Sequence, residues 1–134
     1  MAVGQVKSSL TSHADLRSAL ANLESVKDLD RSIKFYSAVL GQKVSKETYG
    51  PMSIGLLPHV EKSVGGCLAV MEDAQPSANG PLIYLNCEGR LDDASAAAGK
   101  NGGKVLQPKH QIGQHGFRTI ILDSEGNRVA LHSM

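Results

Sequence analysis

The sequence lacks a charge excess and a long apolar run, and it has only two cysteines. Its 14 Lys and Arg residues nearly balance its 13 Asp and Glu residues, so we expect no basic surface for nucleic acid or for an acidic membrane. No apolar stretch approaches the roughly 20 residues of a membrane-spanning helix, and no basic segment followed by an apolar one begins the chain. These features predict a cytoplasmic protein whose partners are neither nucleic acid nor a membrane.

Several chemical signatures are also missing. Cys67 and Cys87 each lie within an apolar run, where a reduced thiol behaves as a small hydrophobe, and their number does not imply a disulfide. The sequence contains no nucleophile elbow and no phosphate-binding glycine loop. Its 134 residues suffice for one domain with a sizeable core, or for two small modules that share one.

The clearest positive signal is a short helix between Val26 and Gly41. Asp28 can cap its first turn. Apolar side chains then recur at helical spacing on one face, at Leu29, Ile33, Tyr36 and Leu40. Gly41 can adopt the left-handed conformation that closes a helix, so the sequence predicts both ends of this helix.

The chain then repeats its pattern. After Gly41, apolar segments bounded by turn residues predict three strands, in residues 43–49, 52–57 and 65–71. Leu82 to Cys87 begins a second strand, helix, strand series, and Lys43-Val44 recurs as Lys104-Val105, 61 residues later. We therefore predict an N-terminal extension (1–17), a first βαβββ module (18–72), a linker (73–81) and a second module (82–134).

The start of the first module is ambiguous. Ser12, Asp15 and the leucines that follow favour a helix from Ala14 to Ser25, whereas the repeat requires a strand from Ala19 to Val26. We expect the strand, because Asp28 must cap a helix that starts afresh.

The repeated units and several motifs resemble the vicinal oxygen chelate superfamily, which includes glyoxalase I, the bleomycin-resistance proteins and the extradiol dioxygenases. The motifs are VKDLDRSIKFYSAVLG, ANGPLIYLN, GGKVLQPK, IGQHGF and DSEGNRVALHS. The resemblance covers roughly residues 19 to 134. It implies an α+β fold of two half-barrel sheets whose concave faces line a cavity, and a homodimer.

The resemblance also identifies where metal-dependent members place their ligands. These positions fall on Ala21, Leu82, Ala130 and either Cys67 or Leu68. Alanine and leucine side chains offer no lone pair to a metal ion. We therefore expect no metal and no other cofactor, and activities that need that ion become doubtful.

Other residues are candidates for a site in the cavity. His115, between Gly113 and Gly116, is our candidate for chemistry near neutral pH, although a turn histidine satisfied by backbone groups is the simpler interpretation. The residues expected to line the ligand pocket are Ala21, Leu82, Tyr84, Asn86, Phe117, Ala130 and His132. Glu24 beside the cavity strand is expected to be a solvated charge.

Two functions remain open beside a third, in which side chains fill the pocket and the protein serves only as a dimerising scaffold. The first is metal-independent binding of a small organic ligand in the half-barrel cavity. The alternative is a metal-dependent lyase, isomerase or dioxygenase of the same superfamily, with a non-standard ion site built from His59, His110, His115 and His132.

Overall fold

The computed structural model describes residues 23–58 and 65–134. In the first unit, these ranges contain β1 (Leu23–Ser25), α1 (Leu29–Leu40), β2 (Ser45–Tyr49), β3 (Met52–Leu56) and β4 (Cys67–Ala69). The second unit contains β5 (Ile83–Asn86), α2 (Leu91–Lys100), β6 (Lys104–Gln111), β7 (Phe117–Leu122) and β8 (Arg128–Ser133), with a 3-10 turn at Gly113–His115. The order βαβββ occurs twice, so the predicted α+β fold of two such units is confirmed.

Each unit forms its own four-stranded sheet with the same strand order. The orders are β1-β4-β3-β2 and β5-β8-β7-β6, and in both sheets the first pair is parallel while the others are antiparallel. The 61-residue repeat seen in the sequence is thus a repeat of topology.

Helix α1 begins and ends as its sequence predicts. The Asp28 side chain accepts a hydrogen bond from the backbone N of Arg31 at 3.0 Å, which satisfies a free amide of the first turn. Gly41 closes the helix with φ +68°. A Cβ at this glycine would lie 2.8 Å from the guanidinium carbon of Arg90, and that guanidinium donates a hydrogen bond to the carbonyl of Val39. Gly41 therefore also admits a contact from the second unit.

The predicted strand at the start of the first module is present in part. Leu23 to Ser25 is a strand, as the repeat requires, whereas residues 14–22 lie outside the described residues. Helix α2 begins at Leu91, with Arg90 as its N-cap.

The main core lies between the two sheets and contains both helices. Each sheet packs against its own helix, and α1 packs against α2. The core combines buried residues of both units, among them Val26, Phe35, Leu68, Leu85, Ala94 and Leu131. Each sheet thus has one face toward this helical layer, and we call the opposite face of each sheet its open face.

A hairpin of the second unit binds the start of α1 through hydrogen bonds and an ion pair. Glu125, in the turn between β7 and β8, accepts hydrogen bonds from the backbone N of Lys27 at 3.0 Å and of Asp28 at 2.8 Å. Its other oxygen pairs with Nε of Arg31 at 2.7 Å. Burial alone would raise the pKa of Glu125, but these bonds and that of Ser124 outweigh it and hold the pKa at about 2.

Asp123 ties the same hairpin to the middle of α1. Its carboxylate accepts a bond from the hydroxyl of Tyr36 at 2.5 Å and bonds from the backbone N of Glu125 and of Asn127. Both Tyr36 and Asp123 are buried. We call the contacts of Asp123 and Glu125 with α1 the hairpin clasp.

The expectation that Glu24 is a solvated charge is wrong. Its neighbours Leu23 and Ser25 pair with Cys67 and Ala69, whereas Glu24 pairs with Leu68, a residue of the main core. Burial, and secondarily the charge of Asp123, raise the pKa of Glu24 to about 7.

Cys67 and Cys87 are buried free thiols, as expected. Burial raises the pKa of each to about 11. Within the described ranges, every helix is too short or too polar to cross a membrane.

Candidate functional site

The open face of the second sheet concentrates polar and aromatic side chains. Strand pairing brings Tyr84 opposite Ala130, Asn86 opposite His132, and Arg118 opposite both His132 and His110. Because side chains alternate along a strand, all of these residues lie on one face. Ile120, opposite Ala130, completes the centre of this face.

Arg118 links three strands of this face. Its Nε donates a hydrogen bond to Nε2 of His110 at 2.9 Å, and its Nη1 donates one to the hydroxyl of Tyr84. Tyr84 lies on β5 and Arg118 on β7, with β8 between them. Their side chains therefore meet above β8.

Ala130 makes this contact possible. It lies on β8 opposite Tyr84, on the same face, and is fully buried. Its methyl group leaves room for the two longer side chains to meet over it. The predicted pocket residue Ala130 thus forms the floor beneath Tyr84 and Arg118.

The hydrogen bonds also fix the tautomer of His110. Nε2 accepts from Arg118, so it carries no hydrogen, and Nδ1 lies 2.9 Å from the carbonyl of Pro108, to which it must donate. His110 is therefore a neutral acceptor toward Arg118.

The side chain of His132 contacts the backbone of His115. Nε2 of His132 donates to the carbonyl of His115 at 2.6 Å, while His115 itself is exposed in the 3-10 turn. The next residue, Gly116, has φ +88°, and a Cβ there would lie 2.8 Å from Cα of Met134. Glycine at this position thus lets the turn approach the end of β8.

Asn86 and Leu82 lie on or next to β5. Asn86 shares the strand parity of Tyr84, Leu82 directly precedes the strand, and both are half-buried. The Asn86 side-chain oxygen accepts a bond from the backbone N of Glu88 at 2.9 Å, so its amide nitrogen is the group left for a ligand. Ala21 lies outside the described residues.

The structure does not bring Phe117 into this set. Phe117 is one residue before Arg118 on β7 and pairs with Ser133, so it lies on the other side of the sheet. There it contacts Lys109, with the ammonium 5.9 Å from the ring centre. Both line a groove of about 380 Å³ at the start of α2, with Leu91 and Met134.

The open face of the first sheet is mainly apolar. Ile54, Leu56, Cys67 and Ala69 form a second buried cluster, apart from the main core. Cys67 belongs to this face, whereas Leu68 belongs to the main core. Of the two residues that the resemblance left open, Cys67 is therefore the one that faces the cavity side.

The donor set does not fit a divalent metal. Leu82 and Ala130 offer no lone pair, and the Cys67 thiol is a single donor, which does not hold a divalent ion. Among residues 23–58 and 65–134, no three His, Cys, Asp or Glu side chains are arranged to hold an ion. Both ring nitrogens of His110 and Nε2 of His132 bond to protein partners, and His59 lies outside the described residues.

Sequence reasoning missed Arg118. The residues around Arg118 indicate only an ordinary strand. The Ser124–Asn127 turn, however, fixes the register of the hairpin. Counting back from that turn places Arg118 opposite His132, which was itself a candidate. The parity of the hairpin could therefore have revealed this residue, and it would have excluded Phe117.

Solved structures confirm the fold. A glyoxalase/bleomycin resistance protein from Albidiferax ferrireducens T118 has a TM-score of 0.69 and 19% identity, covering 84% of this chain and 94% of its own. A glyoxalase/bleomycin resistance protein/dioxygenase family enzyme from Burkholderia phytofirmans PsJN has a TM-score of 0.62 and 13% identity, with coverage of 83% and 94%. Glyoxalase I from Zea mays, at 0.63 and 22% identity, matches 83% of this chain, which spans only 44% of the maize chain. At these identities the likeness concerns the fold alone.

No curated protein matches the chain by sequence. The family model of the Glyoxalase/Bleomycin resistance protein/Dioxygenase superfamily, in contrast, matches residues 23–131. This span contains both βαβββ units, so the match and the topology agree. The chain belongs to the glyoxalase/bleomycin resistance protein/dioxygenase superfamily.

Proposed function

We propose that this protein binds a small organic molecule, without a metal ion, on the open face of its second sheet. The observation that carries the proposal is the character of that face. Tyr84, Asn86 and Arg118 provide a few fixed polar groups around an apolar floor, which is how ligand pockets orient small molecules. The positions that would hold a metal in metal-dependent relatives carry Leu82 and Ala130.

The metal part of the proposal has a direct test. The protein is incubated with nickel, zinc, iron(II) or manganese, dialysed against metal-free buffer, and analysed for metal per chain. Retention far below one ion per chain is expected, because the described donors are too few. Near-stoichiometric retention of any of these ions would overturn the metal-free proposal.

The binding part needs a probe that carries no charge. Titration with 1-naphthamide, followed by ligand-detected NMR, should show binding that Tyr84→Leu weakens several-fold. Phe117→Leu is the matched control, because it removes an aromatic ring from the other side of the same sheet. Equal losses in both variants, or no binding to the wild type, would contradict the assignment of the site.

A second copy of the chain completes the cavity in this proposal. The helical layer α1–α2 lies between the two sheets, so the open faces of one chain point away from each other. A shared cavity therefore needs the first sheet of one copy and the second sheet of another. Light scattering should give twice the mass of the 14.2 kDa chain, and a monomer at all concentrations would refute the shared cavity.

A further inference from the structure

Arg118 is held in place by neutral partners. Its Nε donates to His110 and its Nη1 donates to Tyr84, and both acceptors are uncharged, because His110 is fixed as the Nδ1–H tautomer by Pro108. The two bonds orient the guanidinium without neutralising it. Two of the five N–H groups of an arginine are thereby used, and the others have no partner among the described residues, on a side chain that is half-buried.

The described acids of the second unit have other partners or positions. Glu88 accepts from the backbone N of Met134 and from the hydroxyl of Ser133, and Asp92 pairs with Lys109. Asp123 and Glu125 belong to the hairpin clasp on the other side. Within the two described ranges, none of the ion pairs includes Arg118. A half-buried cation without an acid gains most from a ligand that supplies one.

The surroundings of Arg118 favour a flat apolar group beside the charge. The rings of Tyr84 and His132 are arranged edge to face, with their centres 6.2 Å apart. Buried Ile120 and Ala130 lie on the same face. A ligand that fits here combines a planar apolar body with an oxyanion.

We propose that Arg118 makes this site selective for planar organic carboxylates, which it binds through its free N–H groups, with Tyr84 and His110 positioning the guanidinium. The inference rests on the proposed function, because it assigns a ligand class to the same face. Arginine suits this task, since its planar fork matches a carboxylate with two parallel hydrogen bonds.

Matched probes separate the carboxylate from the rest of the ligand. 1-Naphthoate and 1-naphthamide share one ring system and differ in charge. Wild-type protein should bind the naphthoate about 10- to 100-fold more tightly, the range expected for a charge-assisted hydrogen bond. Arg118→Gln should abolish this preference, so that the variant binds the naphthoate and the naphthamide with equal affinity.

The controls isolate Arg118 from general charge effects. Arg128→Gln removes another arginine of the same open face, two residues before Ala130 on β8, and should keep the preference. Arg118→Lys keeps the positive charge but not the planar guanidinium. It should therefore retain only part of the preference for naphthoate. Added NaCl should weaken naphthoate binding alone in the wild type, a readout that holds even if an Arg118 variant folds poorly.

The outcomes are distinguishable. Equal affinity for both probes, or a carboxylate preference that survives Arg118→Gln, overturns the carboxylate inference and leaves the binding site standing. Absence of binding for both probes overturns the proposed function and this inference together.

Discussion

The half-buried carboxylate of Glu24 should make the protein less stable as the pH rises from about 4.5 to about 7. The pKa of Glu24 is about 7 in the folded chain, against an ordinary value of 4.5. In this window the folded protein keeps the proton that the unfolded chain has already released. The folded state therefore binds more protons, and stability falls with rising pH.

The magnitude follows from the shift. One pKa unit corresponds to about 1.4 kcal/mol, so the full titration of Glu24 should cost about 3 kcal/mol between pH 4.5 and 8. The variant Glu24→Gln has no proton to release. Its stability relative to the wild type should therefore rise by about 3 kcal/mol over this range.

Urea unfolding followed by circular dichroism, at pH 5, 6, 7 and 8 and constant ionic strength, measures the effect. Only the difference between wild type and variant matters, because every other residue is the same in both proteins. A carbon-detected NMR titration of the Glu24 carboxyl provides an independent midpoint, expected near 7. Parallel stability profiles together with a midpoint near 4.5 would refute the burial argument.

Three further changes test other parts of the fold. Ser32→Ala should raise stability by about 1 kcal/mol in urea unfolding, because the buried Ser32 hydroxyl has no hydrogen-bond partner among the described residues; a loss of stability would contradict this. Glu125→Gln should lower the free energy of unfolding by about 2 kcal/mol at pH 7, because it removes the charged partner of Arg31. This loss should fade as the pH falls toward 2, where wild-type Glu125 takes up its own proton. A loss that does not depend on pH would count against the hairpin clasp. Gly116→Ala should lower the melting temperature and alter the NMR signals of His132, because the added methyl group meets the end of β8. Gly113→Ala is the control for left-handed backbone strain alone, since a Cβ at Gly113 would meet nothing within 4 Å.

Local signals in the sequence predicted most of the fold. Asp28 and Gly41 mark the ends of α1 because capping depends on residues within one turn of the chain. Strand ends followed turn residues for the same reason, as at Gly50-Pro51 and Ser124–Asn127. The repeat then supplied β1, which propensity alone would have drawn as part of a helix.

Contacts distant in sequence could not be predicted in this way. Glu24 read as a surface charge because its neighbour Asp123 is nearly a hundred residues away. Glu125 read only as a turn residue, although it caps a helix in the other unit. Of the candidate site, strand parity correctly grouped Tyr84, Asn86 and His132, but Phe117 was assigned to that face without a register check, and Arg118 was overlooked for the same reason.

The hairpin clasp has a consequence for the duplicated architecture. Both ends of α1 are completed by the second unit, through Glu125 at one end and Arg90 at the other. A polypeptide that contains the first unit alone would lack the acceptors for the backbone N–H groups of Lys27 and Asp28 and for the hydroxyl of Tyr36. Fragments produced by cleavage between residues 73 and 81 should therefore stay largely unstructured apart and regain order only when mixed. If the two units arose by duplication, they have since become mutually dependent.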